Sequence, residues 1–379
     1  MKIVIAPDSY KESLSALEVA DCIEQGFRAV FPEAEYVKVP MADGGEGTVE
    51  AMIAATDGRR LELEVTGPLG QPVTAFYGLS GDGRSAFIEM AAASGLELLS
   101  STQRDPRITT SYGTGELICH ALDAGVEHII IGIGGSATND AGAGMLQALG
   151  VRLTDNDGRD LAPGGAALAK LAKIDVTGLD ARIARCRIDV ACDVTNPLTG
   201  EQGASAIFGP QKGATAQMVT QLDQALAHFA KTIARDVGKA VLALEGGGAA
   251  GGMGAALYAF CDAKLRPGID IVTGALNLEA QLRDADVVIT GEGRIDSQSI
   301  HGKVPVGVAR IAKRHNKPVI GIAGSLTPDV GVVHEHGIDA VFSVIDSVCT
   351  LEQALDNAAQ NVRRAARNVA SVLKMGPLR

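Results

Sequence analysis

Two polar segments concentrate the side chains able to hold an anion or move a proton. PDSYKES (7–13) carries Asp8, Ser9 and Lys11, and GEGRIDSQSIHGK (291–303) carries Glu292, Arg294, Asp296, Ser297, Gln298 and Lys303. A third stretch, DGGEGT (43–48), adds Asp43 and Glu46. Each of the three leads toward a predicted helix N-terminus. Carboxylates mixed with lysines at such places suit a divalent metal and phosphate groups, because the acids ligate a hard cation while the lysines and backbone N–H groups take the anion. Taken singly, any one of these acids or lysines reads as a solvated loop residue. Two loops this dense in chemistry, on one crevice, read as a site.

Three further stretches carry a functional reading beside a structural one. GIGGSATND (132–140) follows an apolar run and precedes a predicted helix over 139–149. Gly134 and Gly135 allow backbone N–H groups to turn inward as an anion nest, and Ser136 or Thr138 can cap the helix. The same pattern also fits a tight strand-to-helix turn. GGGAAGGMG (246–254) contains a G-x-G-x-x-G match, and Gly246, Gly247 and Gly248 read as a flexible loop near phosphate. So glycine-rich a tract yields such a match by chance, and a hinge or close helix packing fits as well. In DVACDVTNP (189–197), Asp193 and Asn196 can face a cleft, or Asn196 and Pro197 simply make a turn.

The absences exclude whole mechanisms. There is no G-x-x-x-x-G-K-[ST] phosphate loop, no H-R-D or D-F-G, and no G-x-S-x-G elbow. His334-Glu-His336 reads as a surface turn. The first strand is followed by PDSYKES in place of G-x-G-x-x-G, which disfavours a nicotinamide-dependent dehydrogenase.

The elements that must position these loops are legible as apolar runs. Residues 2–6 predict a strand, Ser15-Ala-Leu-Glu18 a capping box opening a helix with Leu17, Ala20, Ile23, Phe27 and Val30 on one face, and 36–39 a second strand. Toward the other end, 286–290, 318–323 and 339–344 predict strands, 304–315 a helix, and 351–374 a single closing helix. Two βα units plus three give five, the count of a flavodoxin-like parallel sheet of order 2-1-3-4-5. Its ligand crevice lies between strands 1 and 3, where PDSYKES and GEGRIDSQSIHGK emerge. The fold class is therefore α/β, a discontinuous flavodoxin-like domain (1–60 plus 284–379) holding an inserted mixed α/β domain (61–283). Within the insert, 128–133 and 187–191 predict strands and 215–236 a long helix.

Composition narrows the partners. The 379 residues carry a formal net charge of −11 and no basic block, which argues against nucleic acid and anionic membrane. No apolar run approaches the roughly 18 residues of a membrane span, and residues 1–6 are too short for a signal peptide. The six cysteines form no C-x-x-C, so buried free thiols in a reducing, cytoplasmic compartment are expected.

At these motifs the sequence resembles the bacterial glycerate kinase family of the type that forms 2-phosphoglycerate. The matching stretches are APDSYKESLSA (6–16), ADGGEGT (42–48), TGPLG (66–70), TSYGTGE (110–116), IGIGGSATNDAG (131–142), CDVTNPL (192–198), FGPQKGA (208–214), GGGAAGGMG (246–254) and ITGEGRIDSQSIHGKVP (289–305), in order along nearly the whole chain. The resemblance implies a restriction-enzyme-like fold for the insert. It implies phosphorylation of D-glycerate at the 2-hydroxyl by ATP with Mg²⁺. On that reading Lys11 and Lys303 meet phosphate and carboxylate charge. Asp8 or Asp296 accepts the hydroxyl proton, with Asp193 in reserve. Asp43, Glu292 and Asp296 are candidates for Mg²⁺. Gly134, Gly135 and Ser136 hold phosphate or carboxylate, and Ser9, Thr138, Asn196, Arg294, Ser297, Gln298 and Gly246–Gly248 complete the binding set. Two alternatives remain: a kinase of the same type giving 3-phosphoglycerate or acting on a related hydroxy acid, and a non-catalytic nucleotide- or sugar-acid-binding protein. Both substrates are small molecules, and a homo-oligomer is compatible with either reading.

Overall fold

A computed structural model describes residues 1–376 as two compact units. Among the described residues, unit 1 comprises 1–43, 50–57 and 269–376, and unit 2 comprises 44–49 and 58–268. The chain thus returns to unit 1 at 269, ahead of the expected 284, and 44–49 belongs to unit 2.

Unit 1 is built on five parallel strands in the spatial order Glu35–Lys38, Lys2–Pro7, Val287–Gly291, Val319–Ala323, Ala340–Ser343. That is the order 2-1-3-4-5. Apart from Lys2 and the buried Thr290, KIVIAP, VVITG and VIGIA are apolar, and all but Lys2 are buried, as strands covered on both faces by helices must be. Helix Ala16–Arg28 begins at Ser15, whose side chain accepts from the Glu18 N–H while Glu18 reaches back to the Ser15 N–H. Its Val19, Ala20, Ile23 and Phe27 pack with Ile3 and Ile5 and with Val362, Ala366 and Val369 of the last helix. Each fully buried Ile or Phe contributes roughly 2 kcal/mol.

Two details depart from expectation. Leu17, expected on the apolar face, is 38% exposed. The single closing helix over 351–374 is two, Leu351–Asp356 and Ala358–Met375. Asn357 stands at the break, its Nδ2 donating to the Gln353 carbonyl at 2.8 Å. An Asn side chain that bonds nearby backbone in this way competes with helix continuation.

Unit 2 carries a six-stranded mixed sheet ordered Lys264–Arg266, Arg187–Ala191, His128–Gly132, Ser85–Glu89, Pro72–Leu79, Arg59–Thr66. The first four run parallel and the last two add antiparallel. The long helix is Ala216–Asp236, close to its expected span. The helix expected over 139–149 is shorter, Ala143–Ala148. Its start is delayed because the Asp140 carboxylate accepts from Gly142 N, Gly144 N, Ser111 N and Ser111 Oγ, while Ala141 (φ 52°) and Gly142 (φ 70°) turn left-handed.

GGGAAGGMG is no flexible loop. Gly246–Gly254 is buried and runs into the helix Ala249–Cys261, with Ala250, Gly251 and Gly252 left-handed. A Cβ at Gly251 would lie 2.1 Å from the Thr138 carbonyl oxygen, so that crossing tolerates only glycine. All six cysteines are free, and Cys349 is exposed, contrary to the expectation of buried thiols throughout. No described helix is long and apolar enough to cross a membrane.

Candidate active site

Backbone register gathers the unit 1 loops. Pro7 pairs with Gly291, so the first and third strands end at one level, and Ile5 pairs with Lys38, so the second ends two residues short of it. Asp8 N then donates to Gly291 O at 2.8 Å, and Met41 N to Pro7 O at 2.9 Å, carrying the order one step past the sheet. Gly291 sits so close to the next strand that a Cβ there would lie 1.9 Å from Ile322 O. The Tyr10 hydroxyl, buried, donates to that same carbonyl at 2.6 Å and pins the first loop over the sheet.

At this level stand Asp8, Lys11, Asp43, Glu292, Asp296 and Lys303. Asp8 is partly buried and accepts from Ser9 N at 2.7 Å. Its carboxyl is pushed up from 3.8 to about 7, first by burial, then by the negative charges of Asp43 and Glu292, against the Ser9 N–H and Lys11. Glu292 is 6% exposed, and burial raises its pKa too, opposed by Ser299 and Lys303 and reinforced by Asp296 and Asp43. Its Oε1 accepts a very short bond from Ser299 Oγ, and Lys303 Nζ lies 3.7 Å from its Oε2. Tyr10 is driven far above its ordinary value by burial and by Glu292.

The two candidate bases are not equivalent. Asp296 caps the 3₁₀ turn Ser297–Ile300: its Oδ1 accepts from Gln298 N at 2.8 Å and its Oδ2 from Arg294 Nε at 2.9 Å. Both of its oxygens are committed to holding the loop, whereas Asp8 is held by its neighbour Ser9 and poised near neutrality. Arg294 and Gln298 are exposed, and Ser297 bonds Asp329.

Among the described residues, no group of three or more His, Cys, Asp or Glu side chains is arranged to hold a metal ion unaided. Mg²⁺ is ordinarily bound through one or two carboxylates, with phosphate and water oxygens filling the octahedron. The hard-oxygen acids Asp43 and Glu292, whose charges reach Asp8, fit that manner of binding. Asp296, committed to its cap, fits it less well.

The remaining expected residues belong to unit 2. Asp193 is exposed and its Oδ1 accepts from Gly268 N at 3.0 Å. Asn196 Nδ2 donates to Gln202 O at 2.8 Å, the turn reading. The N–H groups of Gly247 and Gly248 go to the Leu244 and Asn196 carbonyls, which gives this tract a packing role in place of a phosphate loop. Gly134 and Gly135 form an exposed lip after strand His128–Gly132, with Ser136 and Thr138 buried behind it.

Sequence reasoning missed the residue beneath that lip. Lys212 is 1% exposed, and its Nζ lies 2.7 Å from Ser136 Oγ and 2.7 Å from Thr138 O. Burial lowers its pKa to about 7, with Asp140 opposing. Tyr10 and Ser299 were missed as well. A lysine between Pro210 and Gly213 looks like any surface turn, and its place within FGPQKGA was its sole signal.

Comparison with known proteins converges on one family. The family model described as the glycerate kinase family matches residues 3–374. An Escherichia coli K12 protein named glycerate 2-kinase is 64% identical over 376 residues, 99% of each chain. A Bacillus subtilis 168 protein named glycerate kinase is 59% identical over 375 residues, covering 99% of this chain and 98% of its own. A solved structure of a protein assigned as glycerate kinase 2 from Salmonella typhimurium LT2 superposes with a TM-score of 0.93 at 70% identity, covering 100% of both chains.

Proposed function

The chain belongs to the glycerate kinase family, and from that premise we propose that it transfers a phosphoryl group from ATP to the 2-hydroxyl of D-glycerate, giving 2-phosphoglycerate and ADP. The choice of the 2-position is supported by the name of the Escherichia coli relative. The observation that carries the chemistry is Asp8, a carboxyl brought to about 7 at the strand ends of unit 1, amid Lys11, Asp43 and Glu292.

Phosphoryl transfer depends on positioning and charge neutralisation more than on covalent help from the protein. Asp8 accepts the proton of the attacking hydroxyl. A base with a pKa near the working pH combines an ionised resting form with enough basicity to take that proton, and contributes roughly 10²–10⁴-fold. Lys11 and Lys303 offset charge on the transferring group and on the substrate carboxylate. Asp296 and Arg294 fix the loop that presents Lys303. Asp43 and Glu292 are the residues that would hold Mg²⁺, and its charge would stabilise the phosphate oxygens. The six free cysteines support a cytoplasmic location.

A coupled assay tests the proposal: ADP release that requires both D-glycerate and Mg²⁺, with the product identified by phosphorus NMR. A 3-phosphoglycerate signal would transfer the protein to the alternative regiochemistry. Binding of both ligands without ADP release would make it a binding protein.

A further inference from the structure

The amine of Lys212 has no role in the chemistry of unit 1, yet it is buried at a cost that surface lysines avoid. It enters from the turn Pro210–Lys212 and meets two oxygens, Ser136 Oγ and Thr138 O, each at 2.7 Å. A carbonyl can only accept, and an ammonium can only donate. Ser136 Oγ therefore accepts from Lys212, and its own proton is left to point elsewhere. Ser136 is 6% exposed and adjoins the exposed Gly134 and Gly135. Above Gly134 the space is open, with nothing within 4 Å of a Cβ position. Behind the lip, Thr138 Oγ1 and Asn139 Oδ1 are buried with no hydrogen-bond partner. Buried polar atoms nearly always have one, so two in adjacent residues mark a place that a ligand or its water completes.

The geometry points to Lys212 as a positioning residue that, by donating to Ser136 Oγ, turns the serine hydroxyl outward so that Gly134–Ser136 binds an anionic oxygen of a substrate, carboxylate or phosphate. This rests on the kinase reading only in that both oxygen classes belong to its substrates. The direction of the serine proton then depends on the amine. As an ammonium, Lys212 forces it outward. As a neutral amine it has a lone pair of its own and draws the proton inward, removing a donor from the lip. With its pKa held near 7, the change falls within the working range. The charged group acting on this amine is Asp140, on the loop, while Arg104 Nη1 donates to Gln211 O on the adjoining turn.

The test is calorimetric binding of D-glycerate and, separately, of ADP, to wild type and to Ser136→Ala, at pH 6 and pH 8.5, with melting curves confirming that the variant is folded. We expect Ser136→Ala to weaken at least one ligand about tenfold at pH 6 and less than twofold at pH 8.5, where the wild-type hydroxyl has already turned inward. The ligand affected identifies the source, carboxylate or phosphate. Lys212→Met, where folded, shows the same loss at pH 6. Asp8 also titrates near 7, but it is common to wild type and Ser136→Ala and cancels in their ratio. Unchanged affinity for both ligands in Ser136→Ala overturns the inference, as does a loss of equal size at the two pH values. Because binding needs no turnover, failure here is separate from failure of the ADP-release assay.

Discussion

Asp8→Asn separates activity from stability in opposite directions. An acid raised from 3.8 to about 7 on folding carries up to about 4 kcal/mol of preference for its neutral form. The linkage sign follows. Below pH 3.8 the carboxyl is protonated in both states, and its burial costs nothing extra. Between 3.8 and about 7 the native state binds more protons than the unfolded one, so its stability falls as pH rises. Above 7 the full penalty stands: an ionised Asp8 beside Asp43 and Glu292. Asparagine keeps the shape and never ionises. The variant should therefore melt close to wild type at pH 4 and several degrees higher at pH 8, at roughly 2–4 °C per kcal/mol. It should also lose roughly 10²–10⁴ in kcat, and with it the rising limb of the pH–rate profile centred near 7. Scanning calorimetry across pH 4–8 with the coupled assay reads both. Near-wild-type turnover would remove Asp8 as the base, and an unaltered difference in Tm between pH 4 and 8 would refute the electrostatic account of its environment.

Three other perturbations test separate parts of the structure. Lys303→Ala removes the ammonium 3.7 Å from Glu292 and should lower kcat/KM at least about a hundredfold with the circular dichroism spectrum unchanged, about 3 kcal/mol of transition-state stabilisation; normal activity would take Lys303 out of the mechanism. Tyr10→Phe leaves the buried Ile322 carbonyl without its 2.6 Å donor and should reduce unfolding free energy in urea by about 1–2 kcal/mol, whereas an unchanged midpoint would show that the loop is anchored elsewhere. Gly251→Ala forces a Cβ to 2.1 Å from Thr138 O at φ +64° and should yield insoluble or strongly destabilised protein, while Gly134→Ala, with open space around it, should express and melt normally. Equal melting temperatures for the two alanine variants would contradict the packing described.

The parallel sheet of unit 1 was legible because its strands are short apolar runs of β-branched residues, and because the polar loops fall where such strands end. The grouping of Asp8, Lys11, Asp43, Glu292 and Lys303 follows from strand order alone. What was not legible depends on distant partners. Asp296 looks like a catalytic acid in sequence, and only the 3₁₀ turn with Arg294 beside it reveals a cap. The glycines of 246–254 look like a mobile loop, and only the Thr138 and Pro197 carbonyls pressed against Gly251 and Gly248 make them a packing surface. Lys212 acquires meaning from Ser136, 76 positions away, a separation that no periodicity records.

The sheet of unit 1 is also a constraint on how the protein is made. Its first strand bonds to a partner 284 positions later, as the Thr290-to-Ala6 contact records. At ribosomal speeds of about 5–20 residues per second, roughly 15–60 s pass between synthesis of the two. Throughout that interval the first strand has its neighbour Glu35–Lys38 on one edge but lacks Val287–Gly291 on the other, and nearly all of unit 2 is synthesised before that second edge is covered. Overexpression should thus favour cold, slow translation and abundant holdase chaperones, and a premature stop anywhere before residue 287 would leave that edge unpaired permanently.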